Sequence, residues 1–81
     1  LSSADLTGAN LTGANLASAD LTRAVLLGAV LRDADLTRAK LDAANLKNAD
    51  LNGALMHRAV LCNTTMPDGS VLYIGCPKYY D

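Results

Sequence analysis

The chain has 81 residues, with 7 basic and 8 acidic side chains and a net charge of −1. One domain is expected, with charges too evenly mixed to grip a polyanion or project a strong anionic field, and no apolar run approaches the roughly 20 residues that insert into a bilayer. Aromatics are 4% of the chain, with no Phe or Trp, so any core must be narrow and filled by Leu and Ala.

From the first residue the sequence repeats every five positions. Leu stands at 1, 6, 11, 16, 21, 26, 31, 36, 41, 46, 51 and 61, with Met56 and Met66 in the same register. Ala lies two places before each of these centres from Leu6 to Leu61, and Thr64 takes that slot before Met66. The residue between is often Asp or Asn, as at Asp5, Asn10, Asn15, Asp20, Asp35, Asn45 and Asp50. On a helix a five-residue step turns the side chain by about 140°, which winds the Leu set around the surface. On a straight strand Ala and its Leu share a face, but an odd step sends the next Leu to the other face.

A corner in every repeat resolves the conflict. If each unit is a short extended side and the chain bends about 90° before the next, all centres point inward and four sides close a coil of 20 residues. Stacked coils about 4.8 Å apart then pair their backbones, as a solenoid requires. The expected core is Leu6, Leu11, Leu16, Leu21, Leu26, Leu31, Leu36, Leu41, Leu46, Leu51, Met56 and Leu61. Gly8, Gly13, Gly28 and Gly53 fall beside the corners and read as turn residues rather than a phosphate cradle. Stacking also places Asp20 over Lys40, a candidate ion pair, and Arg38 over Arg58, which favours an anionic partner or nearby Asp side chains.

The pattern Ala-(Asp/Asn)-Leu-x-x resembles the pentapeptide-repeat family. The resemblance implies an all-β fold, a right-handed quadrilateral β-helix of three-odd coils over residues 1–66 with a C-terminal cap over 67–81. The stretch LCNTTMPDGS, Leu61 to Ser70, resembles the exit segment of short cyanobacterial and thylakoid-lumen members, some of which close a disulfide after the last coil. Cys62 and Cys76 are the candidates for such a bridge, with Cys62 in an outward slot; two free thiols or a metal pair are the alternatives. A bridge would favour an oxidising compartment, such as the periplasm, the extracellular space or the thylakoid lumen.

After Met66 the repeat fades. Pro67 to Ser70 is a turn signature, and VLYIGCPKYYD, Val71 to Asp81, reads as a cap laid over the open bottom of the last coil. At the other end Leu1 replaces the usual Met, which leaves open an upstream signal peptide, N-terminal cap or further domain, or a top face that meets another molecule.

A filled interior offers flat walls and no convergent cleft. His57, the single histidine, falls in an outward slot and reads as a solvated residue; a zinc site with Cys62 would need more ligands. No catalytic residue, cofactor or metal site is expected. The sequons at Asn10 and Asn63 are the accidents of a repeat rich in Asn, Leu and Thr. More unusual is AVLLGAVL, Ala24 to Leu31, where Val25, Leu27 and Val30 replace polar residues in outward slots. Leu55 and Val60 depart in the same way. Val25, Leu27 and Val30 form a candidate apolar contact patch.

The leading expectation is therefore a non-enzymatic scaffold whose partner is a protein, with end-to-end or side-by-side self-association included and no nucleic acid bound. Longer relatives imply an alternative, a DNA mimic acting on DNA gyrase, but duplex DNA carries one charge per about 1.7 Å and this chain supplies no such acidic face. A second alternative is an enzyme, whose pocket would have to lie in the C-terminal cap.

Overall fold

In the computed structural model, which describes residues 1–78, every repeat from Leu1 to Val60 contributes one β-turn and one bridge residue. The unit from Leu21 to Val25 shows how its five N–H groups are satisfied. Leu21 N–H donates to Lys40 O (2.8 Å) and Arg23 N–H to Asp42 O (2.8 Å), both in the next coil. Ala24 N–H donates back to Leu21 O (3.0 Å), closing the turn, and Val25 N–H donates to Ala4 O (2.8 Å) in the previous coil. The remaining donor, Thr22 N–H, reaches the side chain of Asp20 (Oδ1, 3.0 Å).

Parallel bridges link residues 20 apart, from Asp5↔Val25 to Asn45↔Thr65. The odd-period argument therefore yields a coil of four five-residue sides stacked in register. Each side carries a single bridge residue, too short to count as a strand. Among the described residues the two strands are β1 (Leu61–Thr65), on the last coil, and β2 (Val71–Ile74).

The turn geometry is uniform. In each Leu-x-x-Ala unit from Leu1 to Ala54 and in Met56–Ala59, the residue before Ala has positive φ, the pattern of a type II turn. Gly53 meets this demand without a side-chain clash, and an added Cβ there would also collide with Asp33 Oδ1. Non-glycine residues hold the same conformation at Ser3, Ser18, Arg23, Asp33, Arg38, Ala43, Asn48 and Arg58, and Asn63 shares it within β1.

The interior is Leu and Ala. Leu21, Leu26, Leu31, Leu36, Leu41 and Leu46 are all 0% exposed, with Ala24, Ala29, Ala34, Ala39 and Ala44 between them. Each such leucine contributes on the order of 1.5–3 kcal/mol of burial. The rest of the expected core is only half-buried: Leu6, Leu11, Leu16, Leu51, Met56 and Leu61 pack on the cluster from its two ends. A solenoid core is closed by coils above and below, and these residues have a coil on one side only.

β2 runs antiparallel to β1, with Leu61 opposite Ile74 and Thr65 opposite Val71 and a bulge between Cys62 and Thr64. Among the described residues, the segment after the repeats lies along the free edge of β1, and Val71, Tyr73 and Ile74 are exposed. Tyr79, Tyr80 and Asp81 of the expected cap lie outside the described residues.

Candidate functional site

The outer wall is where the chain varies, and its polarity has a structural origin. In Asp5, Asn10, Asn15, Asp20, Asp35, Asn45 and Asp50, Oδ1 accepts the backbone N–H two residues on, at 3.0–3.2 Å. Asp5 and Asn10 also accept the Thr7 and Thr12 hydroxyls at 2.6 and 2.7 Å. The recurring Asp or Asn is thus part of the corner, an Asx-type turn that satisfies the one N–H the coil leaves over. Sequence reading placed these residues outward and missed this role, although the Asx-Leu-Thr spacing carries the signal.

These bonds govern the acids. Hydrogen bonds from Thr7, Thr22 and Thr37 hold the Asp5, Asp20 and Asp35 carboxyls below their ordinary range. Asp20 and Lys40 stack as a bridge pair but form no ion pair; the Asp20 carboxylate is committed to Thr22, and Lys40 acts on it only weakly through space. The ion pair that forms joins Arg32 Nε to Asp50 Oδ2, and this contact is the main reason the Asp50 carboxyl is held low. Arg38 N–H donates to His57 O, so Arg38 sits above Arg58 as the stacking requires, with both residues and His57 exposed.

Val25, Leu27 and Val30 lie on the wall, half-buried. Val25 is stacked between Asp5 and Asn45, and Val30 between Asn10 and Asp50, so each is an apolar residue within a polar column. Leu55 is 58% exposed below Asp35, while Val60 is half-buried below Lys40.

Cys62 and Cys76 are joined by a disulfide, with Cα atoms 4.9 Å apart. The repeat register puts Cys62 in an outward slot, yet it is 3% exposed; it stands opposite Tyr73 in the β1–β2 pair and is bonded to Cys76. Thr64 is fully buried in the slot that Ala fills elsewhere, and its hydroxyl donates to Leu41 O (2.6 Å). The side-chain oxygens of Asn10 and Asn63 are likewise engaged, Asn63 Oδ1 accepting from Tyr73 OH at 3.2 Å.

A shallow groove of about 330 Å³ lies between the wall, at Asp20, Lys40, Asp42 and Val60, and the segment at Gly75 and Pro77. Asp42 Oδ1 is buried there without a hydrogen-bond partner. The groove offers the Asp20 and Asp42 carboxylates, the Lys40 ammonium and the Thr22 hydroxyl, and His57 does not line it.

The profile described as pentapeptide repeats matches residues 1–38 and 39–68, in eight copies. No curated protein sequence matches the chain. Among solved structures, HetL, a pentapeptide repeat protein involved in heterocyst differentiation regulation in the cyanobacterium Nostoc, is 41% identical with a TM-score of 0.61, over 86% of this chain and 35% of HetL. Rfr23 from the cyanobacterium Cyanothece is 36% identical with a TM-score of 0.60, over 73% of this chain and 47% of Rfr23. A pentapeptide repeat protein of the Arabidopsis thaliana thylakoid lumen is 34% identical over 82% of this chain and 49% of its own length, with a TM-score of 0.43. The chain thus spans about a third to a half of the length of these structures.

Proposed function

Since the chain belongs to the pentapeptide-repeat family, we propose that it is a non-enzymatic scaffold whose outer wall makes contact with another protein. It is wound as a right-handed quadrilateral β-helix, the hand that parallel crossovers take in about 98% of cases. The observation that carries the reading is the filled interior: with Leu21 to Leu46 wholly buried, recognition falls to the wall and the ends.

Val25, Leu27 and Val30 are the contact residues. Where Asp or Asn precedes the centre, its side chain holds the following turn; Val25 and Val30 give up that acceptor and place apolar surface outward instead. Loss of a turn-holding bond at two successive corners favours a role for the apolar side chains beyond the fold. The Cys62–Cys76 bridge supports residence in an oxidising compartment such as the periplasm or thylakoid lumen. The enzyme alternative draws no support from this shallow groove, which the single histidine does not line.

The test is the double variant Val25→Asp/Val30→Asp. Asp restores the acceptor at both corners, so the coil should stay folded by circular dichroism. Partner capture from the native compartment, and self-association in sedimentation, should weaken. Association that is unchanged in a folded double variant removes this patch as the contact surface.

A further inference from the structure

Residues 71–78 form a strap that the coil holds mainly through the edge of β1 and one covalent bond. β2 pairs with β1, Tyr73 OH donates to Asn63 Oδ1, and Gly75 lies beside Val60, where an added Cβ would come 3.6 Å from Val60 Cα. Burial contributes little, since Val71 is 44%, Tyr73 61% and Ile74 54% exposed. An antiparallel pair with such exposed side chains is marginal in water.

The coil does not lean on the strap in return. Leu41, Ala43 and Leu46 donate their N–H groups to Val60, Cys62 and Thr65 carbonyls, and Thr65 N–H donates to Ala44 O. All these bonds run from the last coil to the coil above, away from β2. The wholly buried leucines end at Leu46.

We infer that Cys62–Cys76 is a redox latch: its reduction releases the strap and opens the lower edge of β1 while the coil stays folded. The two cysteines are unequal, Cys62 being 3% exposed and Cys76 partly exposed, which directs an external dithiol to the Cys76 sulfur. Its thiolate bonds to Cys76 Sγ, the Sγ–Sγ bond breaks, and Cys62 Sγ leaves as a thiolate that takes up a proton. The second sulfur of the dithiol then displaces Cys76 Sγ, which is protonated in turn. The dithiol loses two electrons and two protons and becomes a disulfide, and the protein gains two thiols. Release bares the Leu61–Thr65 edge, a template for strand pairing that the strap otherwise occupies. This latch is independent of the contact patch at Val25 and Val30.

Amide hydrogen exchange of the whole chain, oxidised and in dithiothreitol, tests it, with mass spectrometry following the thiols. On reduction the Val71–Ile74 amides should lose at least about tenfold protection, while Thr65, Leu26, Leu31 and Leu36 keep theirs. The Cys62→Ser/Cys76→Ser variant should reproduce the reduced pattern under oxidising conditions. Three outcomes overturn the latch: a bond that resists dithiothreitol in the native protein, a β2 that stays protected after both thiols are free, or coil leucines that lose protection together with β2, which would make the bridge a staple of the entire fold.

Discussion

Ala43 holds a left-handed backbone conformation, φ 57°, at the corner where the other repeats place Gly, Asn, Asp, Ser or Arg. Its Cβ meets the following carbonyl oxygen there, at a cost of about 1–2 kcal/mol that a glycine does not incur. Part of that is offset because Ala restricts the unfolded chain more than Gly. Ala43→Gly should therefore stabilise the fold by about 0.5–1 kcal/mol, read as a higher urea midpoint with an unchanged slope. The sequence hints at this demand through Gly8, Gly13, Gly28 and Gly53, which share the slot. It hides how general the demand is, because seven non-glycine residues of the Leu-x-x-Ala corners, and Arg58 in the Met56 corner, meet it too, and side-chain identity alone does not reveal a backbone angle. Thr64 was legible as an exception in the Ala column, but not as a buried hydroxyl paired with Leu41 O.

At the scale of one side and its corner, the Asx bond ties stability to pH. Asp5, Asp20 and Asp35 carry carboxyls lowered first by the hydrogen bond from the threonine hydroxyl or N–H two residues on, relative to an ordinary value of 3.8. A carboxyl depressed in the folded state contributes stability that is complete well above 3.8 and is lost as pH falls through the folded value. The protein should thus be insensitive to pH near neutrality and weaken below about pH 4. Asn10, Asn15 and Asn45 make the same bond from a neutral amide, so only the Asp corners are titratable, and their charged acceptor makes the stronger bond in general. Asp5→Asn/Asp20→Asn/Asp35→Asn should keep the fold at pH 7 and flatten the acid limb of the urea midpoint between pH 5 and about pH 2.5. An acid limb as steep as that of the parent would locate the titrating groups elsewhere. The odd period and the inward columns could be read from the sequence because Leu and Ala carry them without exception through Ala54. The pairing of β2 with β1 could not, since it depends on where the chain turns at Pro67 to Ser70 and on a bulge at Cys62 and Thr64.

Over the whole molecule, the bridges repeat one relation, residue i with residue i+20, nine times along the wall. Each coil contacts its neighbours and little else, so stability should grow coil by coil. The half-burial of Leu6, Leu11 and Leu16 against the complete burial of Leu26, Leu31 and Leu36 is this rule seen from the end. Register, rather than composition, is then what the fold requires. Duplicating residues 21–40 immediately after Lys40 keeps every centre, every Ala and every bridge residue in its column. The extended chain should fold with a higher urea midpoint, and small-angle scattering should show a rod longer by about 4.8 Å. Inserting a single Ala after Lys40 adds one residue of high intrinsic propensity and no charge, yet it moves Leu41, Leu46 and the whole β1 segment out of column. That variant should lose cooperative unfolding across the lower coils. If the single insertion were tolerated as well as the 20-residue one, the stacking would not be what holds the coil together.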